Sequence, residues 1–267
     1  MDPRRVLFVG GNVDRLSSIK IRCADIAVRL GCDCHYQAAT ADAVPSGYAA
    51  YICVKPDFRE PELSKLRKRG IVIWDILDDE PPVGDFVYVT STKFASDLFS
   101  HLGDLRVVPH HHCNVDRLVR PPAGRRAVWI GQRHWYPSLP TVNHDCYFVD
   151  GLTRQQVVDV YTRGDIALNL RNPIPIAKRH IEINSGIKLL NSMAFGMPSI
   201  SGEEPAYREF GPHCTIFSSL EDCSKWLDVL VNDDKRFEEL RANCLEAAEN
   251  FHIDRIVDTY RQLIVSL

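Results

Sequence analysis

A chain of 267 residues is long enough for one large domain or two of ordinary size, and 45% hydrophobic with 25% charged residues is the composition of a globular protein that can bury a core. A net charge of −3 excludes a general nucleic-acid binder, which needs a surplus of Lys and Arg to neutralise phosphates, so any anion site must be local. Nine cysteines without paired CxxC units suggest neither a disulfide framework nor a zinc ribbon. The chain has no apolar run long enough for a transmembrane segment, and its start, MDPRRVLFVGG, reads as a strand and not as a signal peptide, so a cytoplasmic location is expected.

Strand-like runs alternate with helical patterns almost from the first residue, which is the signature of parallel α/β architecture. Arg5-Val6-Leu7-Phe8-Val9 leads into Gly10-Gly11, after which Ser17 or Ser18 caps a helix with Ile19, Cys23, Ile26 and Leu30 on its inner face. Strands follow at Cys34-His35-Tyr36, Tyr51-Ile52-Cys53-Val54, Ile71-Val72-Ile73-Trp74, Phe86-Val87-Tyr88-Val89 and Arg106-Val107-Val108, with helices near residues 60–69 and 92–101. This makes one Rossmann-like half, residues 1–116.

Pro109, the triple His110-His111-His112 and the turn-rich Val119-Arg120-Pro121-Pro122-Ala123-Gly124 mark a junction. A fresh strand, Ala127-Val128-Trp129-Ile130-Gly131, opens a second half over residues 117–252. It continues with Cys146-Tyr147-Phe148-Val149, a helix capped by Thr153 and a strand at Ile166-Ala167-Leu168-Asn169-Leu170. A helix from about Leu220 and a helical region from Asp233 to Leu267 complete the chain, and residues 253–267 form a last helix that can cross back to the first half.

Asn184 to Phe210, NSGIKLLNSMAFGMPSISGEEPAYREF, reads as a phosphate-cradling turn, a short amphipathic helix and a buried strand. Ser185 can cap the helix, and Ile187, Leu190 and Ala194 recur at helical spacing. Gly196 with Pro198 stops the helix before Ser199-Ile200-Ser201. Ser185, Lys188 and Ser192, with Asn191 beside them, then put a hydroxyl, a cation and an amide at the positive end of the helix, where an anion is favoured. Arg171, Lys178, Arg179 and Lys188 against Glu182 alone make a small basic island here.

The order of small residues, Lys188, then LLNSMAFGMP and Glu209 resembles the donor-binding segment of GT-B glycosyltransferases. YFVDGLTRQQVVDVYTRGDIALNL, residues 147–170, is similar to the strand, glycine turn, helix and strand that precede it in that family; the likeness is good over roughly residues 127–211. The resemblance implies two Rossmann-like α/β domains. It places the nucleobase of a sugar nucleotide near Gly151, Leu152 and Thr153 and the diphosphate near Arg171, Ser185, Gly186 and Lys188. It puts Asn191 on the ribose, where the family has an acid; an amide keeps the hydrogen bonds and loses the charge. The family's earlier glutamate falls on Ile183, with Glu182 one residue out of register. Its arginine and lysine after the first strand of this half have no counterpart in Ile130-Gly131-Gln132-Arg133-His134-Trp135, and the short stretch from Gln132 to Asp145 leaves little room for the usual helix.

In the first half, Gly10 and Gly11 would let an acceptor approach the backbone, with Lys20 and Arg22 facing the same cleft. Asp75, Asp78 or Asp79, at the carboxyl end of a strand, could orient or deprotonate an acceptor hydroxyl; a solvated acidic loop is the other reading. The histidine triple does not suggest a metal site, because adjacent extended residues point alternately away, and His110 is taken as a further catalytic candidate in the interdomain cleft. The expected function is a metal-independent, cofactor-free glycosyltransferase, retaining by resemblance, that moves a sugar from a nucleotide-diphosphate sugar to an acceptor hydroxyl on a glycan, a lipid-linked or a small molecule. A non-catalytic sugar-nucleotide or glycan-binding module is the alternative. An oxidoreductase would need a GxGxxG that Gly10-Gly11-Asn12-Val13-Asp14 does not supply.

Overall fold

The computed structural model describes residues 1–2, 5–12, 19–77, 80–139, 142–172 and 181–267, and among these described residues eleven parallel strands form two sheets. Residues divide by proximity into two units, Met1–His111 together with Ile253–Leu267, and His112–His252.

The first unit is built on β1 (Val6–Gly10), β2 (Asp33–Tyr36), β3 (Ala50–Val54), β4 (Ile71–Ile76), β5 (Val87–Thr90) and β6 (Leu105–Val107), in the order β2-β1-β3-β4-β5-β6. β1 and β3 are buried at every position, as expected of central strands covered on both faces, whose sequences are continuous apolar runs. A π-helical turn, Lys20–Ala24, runs into α1 (Asp25–Leu30), and Ile19, Cys23, Ile26 and Leu30 form the inner face that the sequence predicts. Ser17 and Ser18, the predicted caps, lie outside the described residues. α2 (Glu62–Arg67) and α3 (Lys93–Leu98) fill the later crossovers, the second capped by Thr92, which accepts from the Ala95 amide.

The second unit contains β7 (Ala127–Gly131), β8 (Asp145–Phe148), α4 (Arg154–Tyr161), β9 (Ile166–Asn169), α5 (Ile187–Ala194), β10 (Ser199–Ser201), α6 (Pro205–Phe210), β11 (Thr215–Phe217), α7 (Cys223–Asn232) and α8 (Asp234–Ala248). Its sheet order is β11-β10-β9-β7-β8. Alternation along the strands sorts the core into two layers. Ala127, Trp129, Ile166, Leu168 and Ile200 pack with Leu227, Leu230, Phe237 and Leu240 of α7 and α8. Val128, Ile130 and Ala167, one residue out of phase, pack with Val158 and Tyr161 of α4. Between β7 and β8 the described residues hold only a 3-10 turn, Arg133–Trp135, where the resemblance calls for a helix.

The last helix, α9 (Ile253–Ser266), is part of the first unit; it buries Ile256, Val257, Tyr260, Leu263 and Ile264 and pairs with α1 through Asp254 and Arg29, 2.6 Å apart.

Candidate functional site

α5 begins one residue later than the sequence suggests. Its N-cap is Gly186, in the left-handed region at φ 67°, and Ser185 makes no cap; Asn184 Oδ1 instead accepts from the Gly186 amide at 3.3 Å. Glycine is required there twice over, because an L side chain resists that φ and a Cβ would crowd Phe210 and Ala206 of α6. The result is a helix start with uncapped first-turn amides and Lys188 at its second position, an arrangement suited to an anion.

Lys188 Nζ is enclosed and has no hydrogen-bond partner among the described residues. It lies 4.6 Å from the centre of the Trp129 ring, whose Nε1 donates to Leu170 O at 2.8 Å and so fixes the plane on which the ammonium rests. Gly131 leaves the room: a Cβ at that position would collide with Nζ and with the indole. Burial, reinforced by the Arg171 charge, pulls the lysine down to about 7, against a smaller opposing pull from Glu204 and then Cys146.

Arg171, one residue beyond Leu170 after β9, pairs with Glu204 at 2.8 Å and lies over the Trp135 ring at 5.3 Å. Glu204 precedes α6, is 5% exposed, and also accepts from Asn184 Nδ2. Burial raises the affinity of this carboxyl for a proton, while Arg171 acts most strongly the other way. Lys188, Arg171, Asn184 and Glu204 are thus interlocked in a site built from three separated segments of the second unit. Sequence reasoning named Arg171 and Lys188 but missed Glu204 and Asn184. One signal was available: in Glu203-Glu204-Pro205 an acid stands at an N-cap with proline at N1, yet its side chain does not cap the helix and is used elsewhere.

Other predicted positions are placed as follows. Asn191 is 7% exposed and its Oδ1 accepts from the Cys113 amide at 2.8 Å, so part of this side chain holds the segment entering the unit. Gly151, at φ 76°, and Leu152 make the turn into α4, and Thr153 closes a capping box with Gln156. Arg133 stacks at 4.0 Å on Phe148, and its amide donates to Asp150. Lys178 and Arg179 lie outside the described residues.

In the first unit Asp75 and Arg22 are 2% and 1% exposed and bind each other, Nε to Oδ2 at 2.5 Å; Arg22 Nη1 also donates to Val108 O at 2.7 Å. Tyr260 of α9 donates to the same carboxylate at 3.4 Å. Lys20 is instead half-exposed and pairs with Asp25 at 3.6 Å, so it does not share a surface with Arg22. Gly10 and Gly11 are buried, and a Cβ on either would meet Ile19 or Lys55 O; they serve the packing of this turn. His110 is 2% exposed, neither ring nitrogen has a hydrogen-bond partner among the described residues, and burial, then the charge of Arg22, keeps it neutral. Asp78 and Asp79 lie outside the described residues. No group of three or more His, Cys, Asp or Glu among the described residues could hold a metal ion. None of the described helices is long and apolar enough to cross a membrane.

A model of the family described as glycosyl transferase-like matches residues 114–261, more than half of the chain, and takes in every residue of the Lys188 site. The chain belongs to the glycosyl transferase-like family. It is accordingly a glycosyltransferase. Among solved structures it is similar to HepE from Anabaena in complex with UDP-glucose (10% identity, 98% of this chain and 99% of that one, TM-score 0.66). It is also similar to a glycosyltransferase from Rickettsia africae (10%, 97% of each chain, TM-score 0.63) and to AviGT4, involved in avilamycin A biosynthesis (9%, 96% of each chain, TM-score 0.61). At such identities the likeness is one of fold, and the fold is that of GT-B glycosyltransferases. No curated protein matches the sequence.

Proposed function

We propose that this glycosyltransferase takes its sugar from a nucleotide-diphosphate donor held by the second unit and passes it to an acceptor hydroxyl. The observation that carries the reading is Lys188 Nζ, enclosed at the amino end of α5 and without a hydrogen-bond partner among the described residues, with Arg171 paired to Glu204 nearby. An enclosed amine without a partner is costly, and a phosphate oxygen would supply the missing acceptor. As the bond between the sugar C1 and the diphosphate oxygen breaks, negative charge grows on the departing diphosphate. The first-turn amides of α5, Lys188 and Arg171 would stabilise that charge. The acceptor oxygen then bonds to C1 and gives up its proton.

The turn at Gly151, Leu152 and Thr153 would hold the nucleobase and Asn191 the ribose, its Oδ1 accepting from the Cys113 amide and its side chain also hydrogen-bonding Tyr161. Acceptor binding we assign to the first unit, with Asp78 or Asp79 as the group that takes the proton and the neutral His110 as the further candidate, while Asp75 is paired with Arg22. We extend the proposal to retention of configuration on the resemblance of the donor-binding segment alone. Nine free cysteines fit a reducing, cytoplasmic setting.

The test is a panel of UDP-, GDP-, TDP- and CMP-sugars in which slow donor hydrolysis is followed without acceptor. One nucleotide-diphosphate sugar should be hydrolysed and CMP-sugars, with a single phosphate, should not. Hydrolysis of none, with binding of a nucleoside as tight as of its diphosphate, would overturn the proposal.

A further inference from the structure

Glu204 stands between the two halves of the donor site. Its Oε1 is 2.8 Å from Arg171 Nε, in the loop after β9, and its Oε2 accepts from Asn184 Nδ2. Asn184 Oδ1 in turn accepts from the Gly186 amide, the N-cap of the helix that carries Lys188. One buried carboxylate therefore ties the arginine to the turn that opens α5. The tie is reinforced by packing, since α6, which begins immediately after Glu204, abuts Gly186 so closely that a Cβ there would crowd Ala206 and Phe210.

We propose that Glu204 is a positioning residue of the donor site, holding Arg171 and the first turn of α5 in one rigid frame and serving as the fixed counter-charge of Lys188 until the diphosphate arrives. The inference rests on the donor-site reading given above. A carboxylate at 5% exposure is costly to keep charged unless it is paired and hydrogen-bonded. Here it has a cation on one oxygen and an amide on the other, so the cost of burial is offset by a preorganised geometry.

The charged and titratable groups that face Lys188 among the described residues are Arg171 after β9, Glu204 before α6 and Cys146 on β8, with the Trp129 ring beneath. Arg171 disfavours the proton on Lys188, and Glu204 favours it. In the empty site the lysine loses its proton as pH rises through about 7. A diphosphate needs the ammonium, so donor affinity falls as pH climbs above that value, and above it binding takes up a proton. Removing the Glu204 charge leaves Arg171 unopposed, and the fall must then begin at lower pH.

The experiment is a calorimetric titration with UDP-glucose from about pH 6 to pH 9, or with GDP-mannose if UDP-glucose does not bind. The diphosphate of a sugar nucleotide is a diester whose charge does not change over this range, so the profile reports the protein. Uridine or guanosine is the control. In Glu204→Gln the onset of the affinity loss should move down by roughly half a pH unit or more, which corresponds to about a three-fold change in the proton affinity of Lys188, with nucleoside affinity unchanged. Glu204→Asp keeps the charge but is one methylene short; its onset should stay with the wild type while affinity for the sugar nucleotide is lower throughout.

An unmoved onset in Glu204→Gln, or equal movement in both variants, overturns the inference. If the glutamine variant does not fold, Glu204→Asp decides: wild-type affinity for the sugar nucleotide overturns it, and a selective loss that spares the nucleoside supports it. A wild-type protein that binds nucleoside and sugar nucleotide equally would overturn the donor-site reading itself, an outcome distinct from a normal preference with an unmoved onset.

Discussion

Two residues of opposite charge are buried in the first unit because each answers the other. Asp75 is the penultimate residue of β4, whose last five residues are all buried, and Arg22 enters the core from the π-helical turn to meet it. Breaking such a pair leaves an uncompensated charge inside, which typically costs about 3–5 kcal/mol, whereas replacing both partners by apolar residues is far milder. Asp75→Asn should therefore lower the stability of the first unit by an amount of that order, read as a shift in the denaturation midpoint, and Asp75→Leu with Arg22→Met should recover much of it. A stable Asp75→Asn protein with transfer lost ten-fold or more would return Asp75 to the list of proton acceptors. The sequence showed an acid at the carboxyl end of a strand, where functional groups collect, but could not show that an arginine 53 residues earlier reaches it. Lys188 was legible for the converse reason: its position depends on local helix geometry, which the glycine and the apolar spacing announce. Glu204 stayed hidden because its role depends on three segments brought together by tertiary packing.

At the level of elements, the strands were readable because central parallel strands are continuous apolar runs between turn residues, as in Val6 to Gly10 and Ala127 to Gly131. β11, with only Thr215, Ile216 and Phe217, is too short to show a period and was not foreseen. The helix containing Ile19 and Cys23 was read correctly by its buried face, yet its opening turn is π-helical, a detail that apolar spacing does not distinguish. α9 tests how far this unit depends on a distant element. It contributes Ile256, Val257, Tyr260, Leu263 and Ile264 to the buried face, and each large apolar side chain is worth roughly 1.5–3 kcal/mol when fully buried. A chain cut after His252 should lose the folded first unit, seen as loss of protection from hydrogen exchange in β1, β3 and β4, while the second unit keeps its own. Retained protection in β1 would show that the helix is an accessory.

For the molecule as a whole, a net charge of −3 and the cationic donor site proposed above are compatible because the site is built locally and balanced from within by Glu204. The alternation of strands and helices made two parallel-sheet α/β units legible from the sequence, and the α5 segment with its preceding strands made the family legible. Which side chains surround Lys188 and Arg171 in the proposed donor site was not, since Trp129, Trp135, Asn184 and Glu204 reach them through tertiary contacts that no local pattern encodes. The central claim is that the diphosphate of a sugar nucleotide sits on Lys188 at the start of α5. The most direct measurement compares, for wild type and Lys188→Ala, the affinities of a nucleoside diphosphate and of its nucleoside, taking the base from the donor panel. A charge-assisted hydrogen bond contributes about 1.5–3 kcal/mol, so the variant should bind the diphosphate roughly ten- to a hundred-fold more weakly and the nucleoside within two-fold of wild type. Equal weakening of both, or no weakening of either, would contradict it.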